Sequence, residues 1–589
     1  MMIGSVAMGL ALNAQAVAAQ PEGLWQFTIP ALSDKREFLL LDVDGEWLAQ
    51  EGGISMQFDH RDDRLSFRAD NGGRVDAHVE PDGSLSGMWV QPRGPLGYQP
   101  MATPFHVSPD KGFDDSWQAN LSVQSRPYTL FLDFFTDDDG RQRAVIRNPE
   151  RYALGKIGFR VDDDGDGSFT LVSIAGQDPG PLSIEPGGDG TLRLAHPDFA
   201  HPIALRQVAR DEASAYLPRL PGSDTTYAPP SAQDDGWRVA DAADHGFDRA
   251  ALGAMTAQIA GYDPTSLQPQ LLHSLLVSHQ GELVYEEYFY GHDREDRHDL
   301  RSASKMFGSA MVGALQQQGV DIHADTRTLV DIFDGMGEPL DDPRKADIRF
   351  GDLMTYSSGL DCSENSALGS EEALWTQTQE PNYWRYTARL PVLFAPGERY
   401  AYCSASADIV GASLRAASGK PVVALFDQLI ARPLDFGPYH WALAPNGEGY
   451  LGGGVYMRPR DLLKIGAVYA SGGTWNGQRL IPAAWVEESF TKHIEISPET
   501  TGMTQEEFDN ETSRAWQGYH WRIDTVRVGD RSYDSYEANG NGGQLLIVVP
   551  ELELAVAMTG GNYYHGGVWS RWRQRFIGEH IIPALGMDD

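Results

Sequence analysis

The chain has 589 residues, 41% of them hydrophobic, 22% charged and 10% aromatic, which supplies ordinary buried cores and excludes global disorder. Acidic residues outnumber basic ones 83 to 47, for a net charge of −36; a field of that sign repels phosphate backbones and argues against nucleic-acid partners. Two cysteines exclude a cysteine-rich zinc scaffold, and no apolar run approaches the roughly 18 residues of a membrane-spanning segment.

Residues 1–20 read as a secretory signal. Ile3 to Leu12 is an apolar run of the right length, and Val17-Ala18-Ala19 offers small residues for cleavage, although no Lys or Arg precedes Lys35. The expectation is export to the periplasm or beyond. No cysteine follows the apolar run, so a lipid anchor is not supported.

Residues 21–215 read as an all-β accessory domain. Short apolar runs such as Phe38 to Leu41 and Ser168 to Val172 are separated by Asp-Gly and Asn-Gly turns at Asp44-Gly45, Asn71-Gly72, Asp82-Gly83, Asp139-Gly140 and Asp189-Gly190. Strands at this spacing predict a small sandwich or an up-and-down barrel. Asp162-Asp163-Asp164-Gly165-Asp166-Gly167 has the alternating carboxylates of a calcium loop, but Ser173 stands where the twelfth, acidic ligand belongs, so an acidic hairpin turn is expected.

A Pro-, Gly- and Ser-rich stretch over 216–236 reads as a linker. From Trp237 to the end at 589 the pattern is mixed. Hairpins are expected over Leu275 to Tyr285 and Leu545 to Met558, with a helix from Trp569 to Ile582. This predicts an α+β domain, an antiparallel sheet flanked by helices with a helical subdomain. His292 and His298 flank the run Asp293-Arg294-Glu295-Asp296-Arg297, expected to form a solvated loop, and no metal-ligand set is identified.

Ser302-Ala303-Ser304-Lys305 fits the S-x-x-K pattern of serine acyl enzymes. The pattern also occurs at Ser108–Lys111 and Ser489–Lys492, so context must separate the three. Only after Ser302 do apolar residues recur at helical spacing (Phe307, Ala310, Met311, Ala314 and Leu315), which places the serine in the first turn of a core helix. There the unpaired backbone N–H groups favour developing negative charge, and a buried lysine loses its proton more readily. By position alone, a helix-capping serine beside a solvated lysine reads as well.

Two further segments change that balance. Pro396 to Ser404 carries Tyr402 on a loop before the apolar stretch Ile409 to Leu414, and Asn539-Gly540-Asn541-Gly542-Gly543-Gln544 opens the last hairpin. A tyrosine can relay a proton to a leaving group, and glycines let a backbone N–H approach a carbonyl oxygen. With Leu353-Met354-Thr355-Tyr356-Ser357-Ser358-Gly359-Leu360, Gly452 to Tyr456 and Arg460 to Lys464, the stretch from about 240 to 585 resembles the serine β-lactamase-like superfamily. Its members include class C β-lactamases, DD-peptidases, family VIII esterases and nylon-oligomer hydrolases.

The resemblance implies Ser302 as nucleophile, Lys305 as its base and Tyr402 as the assisting acid. The backbone N–H groups of Ser302 and of Asn541, or its neighbour Gly542, would form the oxyanion hole. Two positions depart from the family. Ser404 stands where the Y-x-N motif has its substrate-binding amide, and the glycine run lacks the Lys or His that meets a substrate carboxylate. A small ester or amide is therefore the expected substrate. A DD-peptidase or β-lactamase is the alternative, and a catalytically silent peptidoglycan- or penicillin-binding protein is the rival of another class. No metal or organic cofactor is called for, and oligomeric state is not read. Cys362 follows the Ser-Gly-Leu loop and Cys403 adjoins Tyr402, so in an exported protein a bridge between them is expected, against two free buried thiols. Trp375, Trp384, Trp516 and Trp521 are the aromatic candidates for the cleft.

Overall fold

The computed structural model describes residues 21–586 other than 30–34, 44–45, 52–53, 57, 62–63, 69–71, 92–99, 109–115, 123–127, 148–157, 175–181, 188–190, 196–200, 267–268, 326–341 (where Leu329 and Phe333 alone are described), 502–503, 506–514 and 564. The signal-like segment 1–20 lies outside the described residues. The chain divides into two compact units.

The first unit contains the strand Gly23–Ile29 with residues 129–147 and 156–210. Eight strands close into a barrel, consecutive antiparallel neighbours from Tyr128–Thr136 to Ile203–Gln207 with Gly23–Ile29 completing the ring. Alternation builds it: Phe169 and Leu171 are buried, as are Leu182 and Ile184 on the paired strand. The acidic run at 162–167 is a hairpin turn, in which Asp163 accepts from the Gly165 amide at 2.8 Å and Asp166 from the Ser168 amide at 2.9 Å.

The second unit holds the remainder of the chain and is α+β. Its central antiparallel sheet runs Glu282–Tyr288, Leu272–His279, Leu554–Gly560, Gln544–Val549, Arg531–Gly540, Arg522–Val528, Ala515–Gln517 and Ile494–Ile496. Both expected hairpins are in it. The first turns at Gln280 (φ 52°) and Gly281 (φ 76°), the left-handed pair that matches strand twist. The expected C-terminal helix is present as Gly566–Trp569, wide π turns over Arg573–Ile581, and Ile582–Ala584.

The strands between 21 and 215 are shared between the units, because those from Phe58–Arg61 to Met101–Val107 form a meander that belongs to the second. That meander joins His440–Ala442, through Trp441 opposite Ala102, then Val455–Met457 and His298–Asp299. Thr103 and His440 seal the joint with a buried hydrogen bond of 2.8 Å. The segment 216–236 lies along the same unit: Pro218 accepts from the Tyr290 amide at 3.0 Å, and the Tyr227 hydroxyl donates to Val284 at 3.0 Å. The 292–298 loop is solvated only in part: the Glu295 side chain is 60% exposed, but His298 is 6% exposed because the last residues enter that sheet. Among the described residues no single helix is long and apolar enough to cross a membrane.

The helix Met306–Gln317 lies in the main core, buried on every face from Met306 to Leu315, and emerges only at its glutamines. A helix apolar all round is a central one. Its N-terminal extension positions the site.

Candidate active site

Arg301–Lys305 forms a tight 3₁₀ turn running directly into Met306–Gln317. At three residues per turn, positions i and i+3 eclipse, and Lys305 Nζ lies 2.8 Å from Ser302 Oγ. Ser302 is half-buried and Lys305 is 2% exposed, so the hydroxyl meets the cleft while the amine sits behind it. Arg301 enters the turn at φ 48°, a left-handed conformation costly for a side-chain-bearing residue. Asp299 holds it there, accepting from the Arg301 amide at 3.0 Å.

Lys305 also donates to the Gly452 carbonyl at 2.5 Å. That carbonyl is fixed from below by Asp408, whose carboxylate accepts from the Leu451 and Gly452 amides at 2.9 and 3.3 Å. Burial pushes the Lys305 ammonium down to about 8; Glu371, Glu364 and Asp408 oppose that shift. Burial likewise raises the Asp408 carboxyl to about 8.

Tyr402 is carried by two loops laced together. The Ala401 amide donates to Tyr356 at 2.8 Å, Gly397 to Ser357 at 2.9 Å, and Glu364 to the Tyr402 carbonyl at 3.1 Å. Cys362 and Cys403 are bonded, with Cα atoms 5.3 Å apart. Lys305 Nζ lies 5.0 Å from the Tyr402 ring centre. Burial raises the phenol well above its ordinary value and Glu364 adds to this, while hydrogen bonds with Ser302 and Ser404 pull the other way. Amine and phenol are thus both held toward their neutral forms, a base beside an acid.

Ser404, the first residue of the helix Ser404–Ser418, is 1% exposed and donates its amide to Glu364 at 2.9 Å. It is not among the residues lining the cleft. Asn541 lines it and Gly542 does not. Gly540 explains the approach of that strand. A Cβ there would lie 2.1 Å from the Leu300 carbonyl oxygen and 3.2 Å from the Ala303 nitrogen, so only glycine lets the strand end close on the Ser302 turn.

The cleft has a volume of about 370 Å³, within the range of small-molecule sites. Sequence reasoning missed much of its wall. Tyr356 packs edge-on to Tyr402 at 5.0 Å and stacks on His520 at 5.6 Å, and Tyr400 lines the cleft beside them. Tyr356 and Tyr400 lie inside the quoted motifs, a signal that was available; His520 had none. Of the expected tryptophans none lines the cleft, and Trp521 is wholly buried; Trp569 takes that position. Arg522 and Arg573 also face it, but Asp524 lies 3.4 and 2.9 Å from them and Glu537 2.9 Å from Arg573, so that wall is internally neutralised.

Among known proteins, the 6-aminohexanoate-dimer hydrolase of Paenarthrobacter ureafaciens is 24% identical over 256 residues, 42% of this chain and 65% of that protein. The D-alanyl-D-alanine-carboxypeptidase/endopeptidase AmpH of Escherichia coli K12 is 26% identical over 164 residues, 24% of this chain and 42% of its own. The alignment thus spans less than two thirds of either relative. Of solved structures, simvastatin synthase LovD from Aspergillus terreus superposes with a TM-score of 0.43 at 15% identity, over 54% of this chain and 94% of that one. The Beta-lactamase family model matches residues 271–565, half of the chain and the whole of the sheet, turn and loops just described, and the protein therefore belongs to the Beta-lactamase family.

Proposed function

We propose that the protein is an exported serine hydrolase that cleaves a small ester or amide through an acyl-enzyme at Ser302. Ser302 Oγ attacks the carbonyl carbon and its proton passes to Lys305 Nζ. The oxyanion is held by the backbone N–H groups of Ser302 and Asn541. The C–O or C–N bond then breaks as Tyr402 gives its proton to the departing alcohol or amine. Its phenolate takes a proton from the water that attacks the acyl carbon, and the Lys305 ammonium returns its proton to Ser302 Oγ as the acid leaves.

The observation that carries this reading is the 2.8 Å contact between a cleft-facing hydroxyl and a buried amine whose proton affinity is lowered to about 8. A base poised near neutrality is what the first step needs. The neutralised Arg522–Asp524–Arg573–Glu537 wall supports an uncharged acyl group ahead of a carboxylate-bearing peptide or lactam. Likeness to a 6-aminohexanoate-dimer hydrolase supports hydrolysis as the reaction.

The test is a fluorophosphonate probe on the full chain with peptide mapping, alongside p-nitrophenyl esters, anilides, nitrocefin and D-Ala-D-Ala peptides. Labelling of Ser302, lost in Ser302→Ala, with turnover of the neutral esters or anilides, is the expected result. Folded protein that takes no label overturns it in favour of a binding protein, and exclusive turnover of nitrocefin or the peptides overturns the substrate class.

A further inference from the structure

Three histidines far apart in sequence meet inside the second unit. His273 comes from the strand Leu272–His279, His292 from the loop after Glu282–Tyr288, and His298 from the pair His298–Asp299. The rings of His273 and His292 stack with centres 4.0 Å apart; His298 lies 5.2 and 4.9 Å from them. One ring nitrogen from each falls within 4.8 Å of the others.

His273 is wholly buried, and neither of its ring nitrogens has a hydrogen-bond partner. Core packing alone gives no reason for an imidazole here, since a buried polar atom without a partner loses its water and gains nothing. The three rings cannot be charged together either. At these ring separations, in a buried site, positive charges on neighbouring rings repel one another. An imidazole ligates a metal through the lone pair of a neutral ring nitrogen.

We propose that His273, His292 and His298 bind one divalent transition-metal ion of the zinc class, at a structural site separate from the Ser302 cleft. Three nitrogen donors suit zinc, cobalt or nickel, whereas calcium and magnesium require oxygens. Tetrahedral ligation sets donors about 3.4 Å apart, so small ring rotations close the cluster. Asp296, with a carboxylate oxygen 3.3 Å from His292 Nδ1, is placed either to complete the shell or to orient that ring. The ion would tie a central strand to the residue pair that leads, through Asp299 and Arg301, into the Ser302 turn.

The experiment uses the full chain, stripped by chelator and titrated with Co²⁺. The expected result is one equivalent bound with the intense visible absorption of tetrahedral cobalt, displaced by Zn²⁺, and a higher Tm with zinc than without. His273→Phe keeps an aromatic ring in the space and removes the donors; it is expected to abolish the cobalt band. His292→Asn, at the more accessible ring, is expected to weaken cobalt binding at least tenfold. His245→Asn, in the separate His245–His279 pair, leaves the titration unchanged. A wild-type chain with no tetrahedral band overturns the proposal, as does a His292→Asn variant that binds like wild type, or a band lost only with His245.

Discussion

Two S-x-x-K segments of this molecule are spelled alike and built as opposites. At 302–305 the serine faces a cleft and the lysine is buried behind it, Nζ to Oγ 2.8 Å. At 489–492 it is the serine that is wholly buried, donating to the Trp485 carbonyl at 2.7 Å and meeting the Ser309 hydroxyl at 3.0 Å. Lys492 there is 43% exposed and pairs with Asp534 at 2.8 Å. The helix Ala483–Ser489 ends on its serine, so nothing stacks the lysine one turn above. At the third occurrence, Ser108 is exposed and Lys111 lies outside the described residues. Of the first two segments only 302–305 exposes the alcohol and dries the amine, as the proposed nucleophile and base require.

The sharpest way to break that contrast is to remove the two serines in turn. Ser302→Ala should cut ester kcat by about 10⁴–10⁶-fold, the range for deleting a nucleophile, while Ser489→Ala leaves kcat within about twofold. Equal losses would show that the pairs differ less than their burial suggests.

Next are the lysines. Lys305→Met should cost about 10²–10⁴-fold in kcat/KM, the worth of a positioned base, and Lys492→Met should leave kcat/KM unchanged. If Lys305 is the base as proposed, it works as the neutral amine, and since burial brings it to about 8, wild-type kcat/KM should rise with pH up to about 8 and then level. The Lys492 variant should keep that profile. A rate falling between pH 6 and 8 would contradict the sign.

The disulfide supports one segment and not the other. Replacing Cys362 and Cys403 by serine opens a loop with sequence separation 41 and should lower unfolding stability by about 3–4 kcal/mol. It should also lower kcat, since Tyr402 adjoins Cys403; denaturant titration and ester assays read both. Smallest of all, Lys492→Ala should cost no more than about 1 kcal/mol, as an exposed ion pair does.

What could be read from the chain was what is local. The apolar stripe behind Ser302, the i and i+3 spacing, the Asp-Gly turns and both hairpins each follow from a few consecutive residues and the period of the backbone. Tyr402 and Asn541 carry no such signal of their own; they were reached by resemblance to a family. Asp408, in the second turn of the buried helix Ser404–Ser418, carried no sequence signal that it anchors Gly452.

Beyond the motifs of that family, long-range pairing was not legible. Nothing near Met101–Val107 announces that it will join His440–Ala442, more than three hundred residues on, nor does His273 reveal His292 and His298 as neighbours. Sequence by itself determined which segments became helix, strand or turn and which hydroxyl and amine could stack, because those choices depend on neighbours along the backbone. Only the tertiary structure decided which lysine is dry, which serine is open and which histidines share a pocket. Burial and charge environment come from residues distant in the chain, and proton affinity and nucleophilicity depend on them.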